Sequence, residues 1–199
     1  VYGGLTKVFA GIVIAPIGGL IVGLLLTGLI ITIFANRKPA PVNKTFGRLQ
    51  IISSAWFALT HGANDGQKTM GIIALILFSS GMIPELDIPV WVIFAAAAAM
   101  GLGTFFGGYK VIKTLGVKIT KLKPYQGFAA ETGGGIMLAA FAVLGIPAST
   151  THAITGTIMG SGAARRKRAV RWNVSRQIIF SWIITIPGAA GLGIGFTYL

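Results

Sequence analysis

A chain of 199 residues with 54% hydrophobic and 11% charged residues and a mean hydropathy of +0.80 is too apolar for an ordinary soluble domain, in which about 25% of residues carry charge. Seventeen Lys and Arg against four Asp and Glu give a formal charge of +13. The basic residues gather between apolar runs, so the charge reads as membrane topology rather than nucleic-acid binding. The chain has no cysteine, which excludes a disulfide framework and a thiolate metal site.

Val8 to Phe34 is an unbroken apolar run, long enough to span a bilayer with tilt. Gly18, Gly19, Gly23 and Gly28 recur in it at roughly helical spacing and predict a packed face. A basic, proline-broken stretch follows, from Asn36 through Pro39, Pro41 and Lys44 to Arg48. Leu49 to Thr60 is apolar but too short to cross a hydrocarbon core of about 30 Å.

Thr60 to Thr69 then sets His61, Asn64, Asp65, Gln67 and Lys68 among glycines at 62 and 66. The glycines predict a helix break, with a second apolar arm from Thr69 to Ile83. The pair reads as one discontinuous span or as a re-entrant hairpin. Polar groups at membrane depth are costly and mark pathways for ions or substrates. Asp65 and Asn64, with carbonyls freed at the break, are the hard oxygen ligands that Na⁺ or a proton-carrying site needs. Lys68 either strengthens an anion-attracting helix N-terminus or neutralises Asp65.

Pro84 to Pro89 is short and acidic, as a non-cytoplasmic turn is expected to be. Val90 to Phe106 is the next span. Lys110, Lys113, Lys118, Lys121 and Lys123 form a second basic segment, in which Val111, Ile112, Leu115 and Ile119 predict a short surface helix. Tyr125 to Leu144 carries Glu131 and Thr132 beside Gly133, Gly134 and Gly135, which makes Glu131 a second candidate for cation coupling.

Pro147 followed by Ser149, Thr150 and Thr151 is a helix start with more hydroxyls than capping needs. With bare backbone N–H groups they form a neutral cradle for a tetrahedral oxyanion. His152 follows. Arg165 to Arg168, Arg171 and Arg176 make the third basic cluster, and Val174 to Tyr198 is the last span, with Trp182 and Tyr198 as interface anchors and a kink at Pro187. If the three basic clusters share one side, about six membrane segments result, with both chain ends on the other side. The expectation is an all-α polytopic membrane protein, residues 1–199 forming one transmembrane domain in a cell membrane.

Two other readings compete on the residues alone. An oxygen-lined channel also uses broken backbone. His61, Asp65 and His152 could ligate a metal for an intramembrane hydrolase, but no His-Glu-x-x-His pattern or nucleophile–base pair accompanies them. The chain is therefore not expected to be an enzyme or to hold a resident cofactor.

The stretches Gly62-Ala63-Asn64-Asp65-Gly66-Gln67-Lys68-Thr69-Met70-Gly71 and Ile146-Pro147-Ala148-Ser149-Thr150-Thr151-His152 together resemble the inorganic phosphate transporter family of phosphate permeases. That resemblance implies symport of inorganic phosphate with Na⁺ or H⁺ through two inverted repeats, in a bacterial or archaeal inner membrane. It assigns Asn64 and Asp65 to cation and phosphate coordination, Ser149, Thr150 and Thr151 to phosphate, and Glu131 to a supporting role, and the helix end at Thr69 is expected to help recruit the phosphate. The family carries each motif twice and this chain carries each once. The resemblance thus makes the chain the carboxy-terminal repeat, completed by an amino-terminal repeat outside it or by pairing of two chains as a homodimer.

Overall fold

The computed structural model describes residues 2–197, all of whose regular structure is helical. Six α-helices follow one another: α1 (Tyr2–Ile33), α2 (Pro39–Ser79), α3 (Val90–Lys113), α4 (Pro124–Val143), α5 (Thr150–Arg165) and α6 (Trp172–Thr197). Tyr198, an expected interface anchor, lies outside the described residues.

Close approach of α1 and α5 makes the centre of the bundle. The two run parallel, with Gly11 at Pro147, Gly19 at Ala153 and Gly23 at Thr157. Gly156 and Gly160 return the contact to the backbone of Pro16 and Leu20. Gly19 and Gly23 on α1, and Gly156 and Gly160 on α5, are thus four residues apart, and a Cβ on any of these four would strike backbone of the other helix. The packed face expected of the first span exists, and α5 fills it. Ser161 Oγ fastens the same seam by donating to the Gly23 carbonyl at 3.3 Å.

Against this pair lies α4, which runs parallel to α2. Gln50 packs on Gly127, Phe57 on Gly134 and Trp56 on Gly135, so the three central glycines of α4 admit bulky side chains of α2 and Val22 of α1. Helix α4 ends in a Schellman turn: Gly145 adopts φ +60°, its N–H reaches Ala142 O at 3.2 Å, and Ile146 N–H reaches Phe141 O at 2.9 Å. Pro147 follows, and the chain reverses into α5. The α4–α5 hairpin therefore has one tip, residues 144–149, with both of its arms rooted at the other end.

That other end carries all three basic clusters. Phe34, Phe46 and Phe128 stack edge to face there, joining the ends of α1, α2 and α4. Gln126 Nε2 donates to Ser161 O at 2.8 Å, and Arg171 N–H donates to Ile119 O at 2.8 Å. The expected common side for the basic segments is what the helices produce. Where a surface helix was expected, α3 instead runs on to Lys113 and passes into a π-helical turn, Thr114–Ile119, whose Ile119 is fully buried against Ile158, Met159 and Val170. Large apolar side chains are exposed along α1, α3 and α6, as lipid-facing helices require. Among the described residues, these three helices hold the stretches long and apolar enough to cross a membrane.

The expected break at Gly62–Gly66 does not occur. Helix α2 is continuous over 41 residues, about 60 Å at 1.5 Å per residue. Each glycine costs about 1 kcal/mol relative to alanine in a helix, which packing of α4 along α2 readily offsets. Pro187 likewise sits inside α6 without ending it.

Candidate functional site

The hairpin tip meets α2 at the stretch from His61 to Lys68. Pro147 and the turn leave the Ala148 carbonyl outside any helix, and it accepts from Lys68 Nζ at 2.7 Å and from Asn64 Nδ2 at 3.2 Å. Asn64 is buried. Asp65 is approached from both elements: Lys68 Nζ lies 3.0 Å from Oδ1, His61 Nε2 lies 3.1 Å from Oδ2, and Thr150 Oγ1 donates to Oδ2 at 2.9 Å. His61 is held against Phe57 by ring stacking at 5.8 Å. Since residues three and four apart share a helix face, an unbroken α2 gathers His61, Asp65 and Lys68 where a broken one would disperse them.

The three consecutive hydroxyls take three different positions. Ser149 is the N-cap of α5, its Oγ accepting from His152 N–H at 3.4 Å. Thr150 is buried and committed to Asp65. Thr151 is exposed and faces a cavity of about 1070 Å³. Helix α3 walls that cavity with Gly103, Thr104, Gly107 and Gly108, while His61 and Thr150 line the same end as Thr151.

Glu131 and Gln50 line the cavity as well. The structure does not bring Glu131, the second candidate for cation coupling, to Asp65. The Glu131 carboxylate accepts from Ser53 Oγ at 2.6 Å, Ser54 Oγ at 3.0 Å and Gln50 Nε2 at 3.3 Å. Ser53 and Asp65 are about 18 Å apart along α2. Parallel packing of α4 on α2 sets this separation, because Glu131 falls well before the hairpin tip. Sequence reasoning missed Gln50, Ser53 and Ser54, although their i, i+3, i+4 spacing in an apolar run was a signal for a polar face.

Thr69 is also placed differently. It does not open a helix; its hydroxyl bonds back to the Asp65 carbonyl at 3.4 Å and is exposed. Of the two expectations for Lys68, the helix N-terminus is absent, since it lies mid-helix, and the pairing with Asp65 is present. Trp182, expected as an interface anchor, packs against His152 with ring centroids 3.9 Å apart and the planes tilted by 34°. Among the described residues no three of His, Cys, Asp and Glu gather as metal ligands, so the trio of His61, Asp65 and His152 does not form.

Comparison with known proteins bears on this geometry. The description of the phosphate transporter family matches residues 32–193. A probable low-affinity inorganic phosphate transporter of Rhizobium meliloti is 50% identical over 191 residues, 96% of this chain and 57% of that protein. One of Bacillus subtilis is 40% identical over 96% of this chain and 58% of its own length. A putative phosphate permease of Pyrococcus furiosus is 32% identical over 90% of this chain and 45% of its own. Among solved structures, one titled the sodium-dependent phosphate transporter is similar with a TM-score of 0.65 and 26% identity, covering 92% of this chain and 56% of that one. The chain thus spans somewhat more than half the length of the first of these relatives. The family match takes in both the Asn64–Asp65 segment of α2 and the hairpin tip it bonds to, and the chain belongs to the phosphate transporter family.

Proposed function

We propose that this chain forms one of two repeats of a secondary transporter that moves inorganic phosphate together with Na⁺. The carrying observation is the convergence on Asp65 of Lys68, His61 and Thr150 from two elements, at the head of a cavity into which Thr151 faces. A carboxylate at the centre of a membrane costs at least about 2.5–3.5 kcal/mol unless paired or hydrated. A fold that keeps one beside a cavity gains from its reversible neutralisation. Asn64, Asp65 and the Ala148 carbonyl offer oxygens to the cation. Thr151 and the N-terminal N–H groups of α5, oriented by the Ser149 cap, offer donors to phosphate. Na⁺ is preferred over H⁺ because the donors are hard oxygens on two elements, and because the similar solved structure is titled as sodium-dependent.

Cation binding adds positive charge beside Asp65, already paired with Lys68, and so favours a phosphate anion at the α5 terminus. The loaded site then passes between the faces of the membrane. Glu131, held on α4 by Ser53, which lies about 18 Å from Asp65 along α2, lines the same cavity and does not share the ion at Asp65. The second repeat, of inverted topology, supplies the counterpart wall of the site. The protein is a multi-pass protein of the cell membrane.

Uptake of radiolabelled phosphate into proteoliposomes, with Na⁺ and pH gradients imposed separately, tests the reading. Accumulation against a phosphate gradient should follow the Na⁺ gradient. Equilibration that ignores both gradients would identify a channel instead.

A further inference from the structure

Lys68 stands where a bound cation would stand. Its Nζ lies 3.0 Å from Asp65 Oδ1 and 2.7 Å from the Ala148 carbonyl, one oxygen on α2 and the other on the hairpin tip. Neither oxygen depends on Lys68 for its place. The other carboxylate oxygen, Oδ2, is engaged by Thr150 at 2.9 Å and His61 at 3.1 Å. The Ala148 carbonyl is fixed by the hairpin turn and by Asn64 Nδ2 at 3.2 Å. A charged oxygen and a neutral one, held by independent supports and aimed at one position, are what a monovalent cation site requires. The ammonium that fills it sits on a flexible four-carbon stem, and its side chain is 41% exposed, so withdrawal needs no change of backbone.

We propose that Lys68 is a tethered cation occupying the position between Asp65 and Ala148, and that free Na⁺ enters there by displacing it. The inference rests on the transport reading above and adds an occupant built into the chain. Apparent Na⁺ affinity at Asp65 is then set by competition between the ammonium and the ion. The site never stands as a bare carboxylate during the cycle.

Equilibrium binding of radiolabelled Na⁺ to the purified protein in detergent at neutral pH is the test. Lys68→Met keeps the apolar stem and removes the charge, and it should bind Na⁺ at least tenfold more tightly than the parent. Lys68→Arg, which retains a tethered cation, should not gain, and Asp65→Asn added to Lys68→Met should erase the gain. An unchanged or weaker Na⁺ affinity in Lys68→Met, including one caused by His61 filling the gap, overturns the proposal. So does a gain that survives Asp65→Asn. A second measurement needs no variant: acetylation of Lys68 by an amine reagent, read by mass spectrometry, should rise with Na⁺ and not with an equal concentration of choline. Equal labelling in the two salts overturns the proposal. If the unaltered protein carries no phosphate in proteoliposomes, the transport reading fails, while the Na⁺-binding and labelling results still decide the role of Lys68.

Discussion

Thr150 and Thr151 are neighbours in sequence with opposite commitments, and they should separate in a kinetic experiment. Thr151 faces the cavity, and a hydrogen bond to a charged partner contributes about 1.5–3 kcal/mol. Thr151→Val is therefore expected to raise the phosphate KM by roughly ten- to a hundredfold at unchanged Na⁺ dependence. Thr150 donates to Asp65, so Thr150→Val should shift half-saturating Na⁺ instead. Equal effects of both variants on the phosphate KM would contradict the division of roles. Asp65→Asn removes the charge that Lys68 and His61 pair with, and is expected to abolish Na⁺-driven accumulation while the protein still inserts at normal abundance. Normal accumulation in that variant would refute the site. Asp65, Asn64 and the hydroxyl run were legible because polar groups inside apolar runs announce themselves by type. Ala148 was not: its contribution is a backbone carbonyl, freed by Pro147, and a carbonyl carries no residue signature.

At the scale of the element, the glycines divide into those that meet a neighbour and those that do not. In the α1–α5 seam a Cβ on Gly23 or Gly160 would strike backbone, whereas Gly28 and Gly62 meet nothing within 4 Å. Gly23→Ala and Gly160→Ala are expected to cost about 1–3 kcal/mol as overpacking. Gly28→Ala and Gly62→Ala should be neutral or stabilising by up to about 1 kcal/mol, since alanine suits a helix interior better. Thermal unfolding in detergent separates the two groups, and loss of stability in Gly62→Ala would argue against an unbroken α2. The helices themselves were largely legible from apolar runs and the proline and hydroxyl signals at their starts. Continuity of α2 was not, because Gly62 and Gly66 look like punctuation, yet neither meets another helix and α2 runs through both. Glycine's helix penalty of about 1 kcal/mol is too small to break a long packed helix by itself.

The whole molecule places its three basic clusters at one end and the acidic turn at the far end of α2. Since the chain lacks cysteine, single cysteines at Lys121, Arg168, Glu85 and Leu144 can report sidedness. Lys121→Cys and Arg168→Cys should react only from the cytoplasmic face and Glu85→Cys only from the opposite one. Helix α5 has 16 residues, about 24 Å, against a hydrocarbon core of about 30 Å. Leu144→Cys, at the hairpin tip, should therefore resist reagent applied at the face that labels Glu85→Cys; rapid labelling from there would mean that both arms cross. That the basic segments share one end was legible from charge alone. Depth was not, because the span count treats each apolar stretch as a crossing, and a hairpin that returns to its starting side leaves the charge pattern unchanged.

The glycine seam has a mechanical consequence. Helices whose backbones interlock cannot slide or roll past one another without lifting apart, so α1 and α5 behave as a single beam. Helix α4 is joined to that beam through its glycines and the hairpin turn, and half of the Asp65 site travels with it. Helices α3 and α6 bury little of their surface and have no comparable keying. Any rocking that exposes the site to alternate faces should therefore shear the α2–α3 boundary and leave α1 and α5 in register. A disulfide engineered across α1 and α5 should leave phosphate uptake intact, whereas one across α2 and α3 should arrest it until reduced. The reverse pattern would mean that the beam itself bends.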